Sequence, residues 1–370
     1  MSTASAPVPA PPEPATRADR VTWLDTFRGL SIALVVLGHV LGGLAFASFV
    51  SESGKQWLWA AYDLLYTFRM PAMFLASGLF AARSLRRGLP RFLGDKTRTL
   101  AYPYLVWSLI GWVGLSAASG LANNQADPLT PLKMLVDPMQ GVWFLYVLFV
   151  VMAGYGLWAA MGGSARGFLA AGALLHGVVP FWEAAPSMLV QVALFAVYFG
   201  MGLVLAEHVR AIGNRLTPRL LLLVVPSSFA LMKGAVALGL DEVPALDLVP
   251  ALLGTAGMFG VAMLIDRLPG VEALRYFGRN SLQIYVAGGH GSVATRIALH
   301  KVLGISALGT HIALGTVAGL VLPLVLVAAC EAVGFRYLFA WPKPEGDGAD
   351  RAASAGARRH PGRVVGVPSP

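Results

Sequence analysis

Arg28 and His39 stand eleven residues apart in the first long apolar run of the sequence. An ionisable side chain in such a run is costly to bury and is a functional candidate by default. Eleven residues is close to three helical turns, so both side chains fall on one helix face, with Asp25 near the same stripe. The rise between them is roughly 16 Å. A guanidinium near one membrane interface is thus in line with an imidazole past the midplane. Guanidinium binds phosphate or carboxylate through a rigid fork of donors. Imidazole titrates near neutrality and serves as a general base or as a transient nucleophile.

The second apolar run places Arg69 at nearly the depth of His39, where a guanidinium can stabilise a developing oxyanion. Pro71 follows and is expected to kink that helix. Ser77 and Gly78 give it a small-residue surface for close approach. By residue counting Asp63, His176, Lys233 and His290 also fall in the outer halves of their runs. This agreement in depth predicts a polar cavity open to the outer face. Plainer roles compete at each position. Arg69 can pair with Asp63, Lys233 can snorkel outward, and His176 and His290 can be hydrogen-bonded structural residues. Asp25 can complement a helix N-terminus. Trp57, Trp59, Trp107, Trp112 and Trp143 suit interface belts and packing.

The elements that must carry these groups are membrane helices. Of the 370 residues, 56% are hydrophobic and 13% charged. A soluble domain carries about 25% charged residues. The mean hydropathy is +0.66. Apolar runs recur from residue 26 to residue 340, and each span needs about 20 apolar residues. Backbone in lipid must be satisfied internally, so the spans are helices or a closed barrel. The runs are continuous rather than alternating, which excludes a barrel. The expected fold is all-α and polytopic, with about ten spans: 26–48, 59–82, 99–118, 141–161, 166–181, 187–206, 219–239, 246–266, 277–299 and 311–334.

The net charge of +9 comes from basic residues in short connections, which fits membrane topology rather than nucleic acid. Arg83, Arg86, Arg87, Arg91, Lys96 and Arg98 follow span two. Arg210, Arg215 and Arg219 follow span six, and Arg267, Arg275 and Arg279 follow span eight. All fall on one side, which the positive-inside rule makes cytoplasmic, together with both chain ends. The single cysteine, Cys330, permits neither an internal disulfide nor a cysteine-based metal site. Residues 1–20 are rich in Pro and Ala, lack an apolar core and do not read as a signal peptide. They are expected to form a disordered arm, residues 343–370 a disordered tail, and residues 21–342 the transmembrane domain.

In order along the chain, these residues resemble the bacterial acyltransferase 3 family, and within it the fucose 4-O-acetylase-like branch of inner-membrane proteins. The segment from Arg20 through Asp25, Arg28 and Gly29 to His39 resembles the family's first helix. Tyr66 through Arg69, Pro71 and Ser77 to Gly78 resembles its second. Arg98 through Pro103 and Trp107 to Ser108 resembles the segment leading into the third. Trp143-Phe144-Leu145-Tyr146 and Phe277-Gly278-Arg279-Asn280-Ser281 through Tyr285 resemble later landmarks. The likeness covers roughly residues 20–340. The chain departs from the branch where Arg69, Gly141 and Gly288 occupy positions that often hold histidine, with His290 two residues beyond the last.

The resemblance implies acyl transfer from a cytoplasmic acyl-coenzyme A, commonly acetyl-CoA, to a hydroxyl of a carbohydrate or lipid-linked glycan at the membrane or its outer face. It implies His39 and Arg69 as catalytic residues, with no metal. Arg28, Asp25 and Arg98 then bind the acyl-CoA, and Ser77, Trp143, Tyr285 and His290 line the acceptor side. His39 as base and His39 as acyl carrier both remain open. A transporter or flippase of a glycan intermediate or small anion would use the same polar cavity without chemistry. A non-catalytic membrane sensor is a third reading. The expected location is the bacterial inner membrane.

Overall fold

The computed structural model describes residues 21–117, 127–139 and 141–342. The two expected arms, 1–20 and 343–370, lie outside the described residues. Within those residues the fold is all helical: α1 (Thr22–Ala45), α2 (Glu52–Leu85), α3 (Leu89–Lys96), α4 (Tyr102–Ala117), α5 (Thr130–Lys133), α6 (Trp143–Ala160), α7 (Ala165–Val178), α8 (Ser187–Leu205), α9 (Val209–Arg215), α10 (Pro218–Ala237), α11 (Leu248–Ile265), α12 (Glu272–Arg279), α13 (Ser281–Ile297) and α14 (Leu308–Ala332).

Eight helical segments among the described residues are long and apolar enough to cross a membrane: α1, α2, the continuous stretch Leu89–Ala117, α6, α8, α10, α11 and α14. Neither of the other two expected spans forms a helix of that length and hydropathy. The fifth is α7 followed by the turn Val179–Phe181. The ninth, expected as one span over 277–299, is broken at Asn280 (φ −103°, ψ 21°) into α12 and α13. The break puts the N-terminus of α13 inside the bundle rather than beyond it.

The basic segment after α2 also departs from expectation. It is a helix, not a loop. Gly88 adopts φ +93°, where a side chain is disfavoured, and turns the chain sharply. Pro90 then starts α3, and Phe92 is fully buried on its inner side. A π-helical turn, Thr97–Ala101, joins α3 to α4. Such turns shift side-chain direction within a helix and recur at functional sites.

In α2, Ser51 caps the start by accepting a hydrogen bond from the Gly54 N–H (3.3 Å), and Pro71 sits inside the helix without ending it. At 34 residues α2 is about 51 Å long. It packs along α8, while α13 packs along α14 and α10 along α11. The α2–α8 crossing is backbone-close. A Cβ at Gly78 would overlap the Phe199 carbonyl oxygen, and one at Gly202 would overlap that of Leu75. Small residues at such crossings allow the dispersion contacts that drive helix association in lipid.

The start of α1 is held by a polar knot. Asp266, at the end of α11, accepts from the hydroxyls of Thr22 (2.7 Å) and Thr26 (2.5 Å) and pairs with Arg275 of α12 (2.7 Å). An aromatic core lies deeper. Phe74 stacks on Phe195 (4.7 Å between centroids) and meets Phe144 edge-on (4.9 Å), and Phe144 meets Tyr285 (5.3 Å).

The α2–α8 crossing gives a direct test. Gly78→Val should cost about 1–3 kcal/mol and lower the melting temperature in detergent. An unchanged melting temperature would mean that the two helices do not cross at this distance.

Candidate active site

The central cavity, of about 290 Å³, opens between α1, α2, the end of α3 with the π-helical turn that follows it, α6 and α13. Arg28 and Lys96 line it toward the basic end of the bundle, with Thr99 beside them and Ser281 opposite. Arg28 Nη2 donates to Ser281 Oγ at 2.9 Å, which ties α1 to the first turn of α13. Tyr285 lies one turn deeper on α13 and is buried, and its hydroxyl accepts a hydrogen bond from the Phe144 N–H (3.2 Å). Ser77 lines the cavity from α2, with its Oγ bonded back to the Met73 carbonyl (2.8 Å).

Beyond Tyr285 lies Arg69. Its side chain is only 4% exposed, and its Nε and Nη1 have no hydrogen-bond partner. The guanidinium sits over the rings of Tyr62 (4.7 Å) and Tyr66 (5.2 Å) and within electrostatic reach of Tyr285. Tyr62, Tyr66 and Arg69 are spaced i, i+4 and i+7 on α2, so one helix face carries the cation and both rings. A Cβ at residue 38 would overlap the guanidinium, so Gly38 provides the space that Arg69 occupies. His39 is the next residue, and both Arg69 and His290 lie within its electrostatic reach.

The sequence-predicted residues therefore divide. Arg28, Ser77 and Tyr285 line the central cavity, and Arg69, His39 and His290 gather past its inner wall. His290 is an exposed ring, 5.4 Å from that of Trp107, with its Nε2 turned toward Gly111. Asp25 and Arg98 do not line the cavity. Lys96 and Thr99, flanking Arg98 across the π-helical turn, do. Trp143 does not line it either. It packs on Phe195 (5.3 Å) in the aromatic core, and its neighbour Phe144 faces the cavity instead.

Among the described residues, the groups matched by depth counting do not gather around one polar space. Asp63 and Lys233 are exposed, and Arg69 stacks on tyrosines rather than pairing with Asp63. His176 is bonded to Asp247 (2.8 Å) and to the Leu194 carbonyl (3.0 Å), a structural role. Counting along a helix gives a height but not a rotation about its axis, and the facing of these side chains differs from that expectation. At residue 288 a side chain has little room, because a Cβ would stand 2.7 Å from the Gly319 carbonyl oxygen at the α13–α14 contact. That contact explains the absence of a histidine there. Tyr62 escaped the sequence reading, although its spacing from Arg69 carried the signal.

The model of the Acyltransferase domain family matches residues 21–330, most of the chain and every element of the site. No curated protein and no solved structure matches the chain significantly. Apolar helices, a cavity reaching deep among them and the family match together identify the chain as a member of the acyltransferase 3 family, a multi-pass membrane acyltransferase.

Proposed function

We propose that the protein moves a short acyl group, acetyl in the simplest case, from cytoplasmic acyl-CoA to a hydroxyl of a carbohydrate or lipid-linked glycan at the far side of a bacterial inner membrane. The observation that carries this reading is Arg69. It is a buried guanidinium with two partnerless nitrogen atoms, set beside His39 and just past a cavity whose mouth carries Arg28 and Lys96. An unpaired buried charge costs on the order of several kcal/mol. Cation–π contact with Tyr62 and Tyr66 returns about 0.5–2 kcal/mol of that. The remaining cost has a use if an oxyanion forms there during the reaction.

The basic end faces the cytoplasm by the positive-inside rule, which also places both chain ends there. Arg28 and Lys96 then meet the phosphates of the coenzyme, and the slender pantetheine arm lies along the cavity past Ser77 toward Tyr285. The thioester carbonyl comes to Arg69. His39 takes the proton of the acceptor hydroxyl as that oxygen attacks the carbonyl carbon. The C–S bond breaks, the ester C–O bond forms, and the proton passes to the departing thiolate. Arg69 donates to the carbonyl oxygen while it carries negative charge.

Purified protein with labelled acetyl-CoA tests each role through CoA release. His39→Gln should lower turnover by about 10²–10⁴-fold with membrane insertion unchanged. Wild-type turnover in this variant would remove His39 from the chemistry. Arg69→Gln should lower kcat by about 10²–10³-fold, the effect of removing an oxyanion donor. A change confined to KM would instead make Arg69 a binding residue. Arg28→Ala should raise the KM for acetyl-CoA by about 10-fold or more, the worth of a charge-assisted hydrogen bond. An unchanged KM would confine Arg28 to a packing role within the bundle, such as its contact to Ser281.

A further inference from the structure

A second, much smaller pocket adjoins His39 on the side away from Arg28. It has a volume of about 20 Å³ and lies between α1, α13 and α14. Roughly 10–15 Å³ accommodates one water molecule, so this space admits a single hydroxyl-sized group. Four polar side chains line it: His39, Ser292, Arg296 and His311. His311 is 2% exposed. Its Nε2 faces the Ile305 carbonyl at 2.9 Å and must donate to it, which leaves Nδ1 with a lone pair and no partner. Arg296 is fixed by its Nη1 bond to the Gly43 carbonyl, and it has no carboxylate partner among the described residues. Ser292 is already committed to the carbonyls of Gly288 and Gly315. The remaining walls are aliphatic, from Val40, Leu44 and Val293.

We propose that this pocket is the slot for the acceptor hydroxyl and that its width restricts the acceptor to primary alcohols, such as a hydroxymethyl group of a sugar. The inference rests on acyl transfer at His39 as proposed above. A hydroxyl seated here has His39 on its inner side to take its proton, with Arg296 and His311 to orient it. A primary carbinol brings one carbon substituent past the aliphatic walls. A secondary carbinol brings two, and the second meets Val40 or Val293. The transfer is the one already written: the acyl C–S bond breaks, the C–O bond to the primary carbinol forms, and the hydroxyl proton leaves on the CoA thiol.

Simple alcohols test the slot without knowledge of the natural acceptor. Purified protein is incubated with labelled acetyl-CoA and either ethanol or 2-propanol, and CoA release and alkyl acetate are both measured. The slot predicts ethyl acetate at a rate about 10-fold or more above isopropyl acetate, the usual worth of one excess carbon in a tight pocket. Val293→Ala, at a position 40% exposed and away from the proton path, should bring the ratio toward one. Equal use of both alcohols by the wild type would overturn the slot and leave acyl transfer standing. So would CoA release with acetate as the sole product at saturating ethanol, or an unchanged ratio in Val293→Ala. Absence of any CoA release would overturn the acyl-transfer reading, and the slot with it.

Discussion

A guanidinium held in the apolar interior without a counter-ion is the constraint around which this protein is arranged. Arg69 is nearly inaccessible, and two of its nitrogens are unbonded. Tyr62 and Tyr66 offer ring faces, which attract a cation without neutralising it. Gly38 removes the side chain that would fill the same space, so α1 and α2 approach closely at this depth. A carboxylate in place of the rings would form an ion pair and quench the charge. The site keeps a concentrated positive charge available, and His39 is the ionisable group that the chain sequence sets next to it.

The surrounding packing serves to hold that layer still. Phe74, Phe144, Phe195 and Tyr285 form a continuous aromatic contact across α2, α6, α8 and α13, and Tyr285 belongs to both the core and the cavity wall. The backbone-close crossing of α2 with α8 fixes the height of Arg69, since Gly78 lies nine residues along the same helix. Ser281, at the break between α12 and α13, meets Arg28. The interruption at Asn280 is therefore what brings the start of a helix to the end of the cavity that Arg28 and Lys96 line.

Much of this was legible in the sequence. Hydropathy located the helices, because a membrane span must be long and apolar to satisfy its backbone. The spacing of Arg28 and His39 set both on one helix at a known separation, and Arg69, Ser77 and Tyr285 emerged near the predicted region. What the sequence did not reveal was rotation between helices. Asp63 and Lys233 share the counted height of His39 yet are exposed, and His176 turns to Asp247. Residue counting measures height within the membrane, whereas facing depends on contacts distant in sequence, such as that of Gly288 with Gly319. The π-helical turn at Thr97–Ala101 was equally invisible, and it is where Lys96 and Thr99, rather than Arg98, come to line the cavity.

The Asp266 knot at the foot of α1 has a mechanical consequence. Two threonines of α1 and an arginine of α12 converge on one carboxylate, so α1 is moored against axial sliding and against rolling. Arg28 and His39 share this helix, so both keep a constant position relative to α11 and α12, like marks on a clamped rule. A rocking cycle that exposed the same group alternately to each aqueous compartment would have to tear this mooring on every turn. Whatever reacts along this face of α1 must instead be carried to a stationary helix, and the reach has to come from the reacting molecules rather than from the protein.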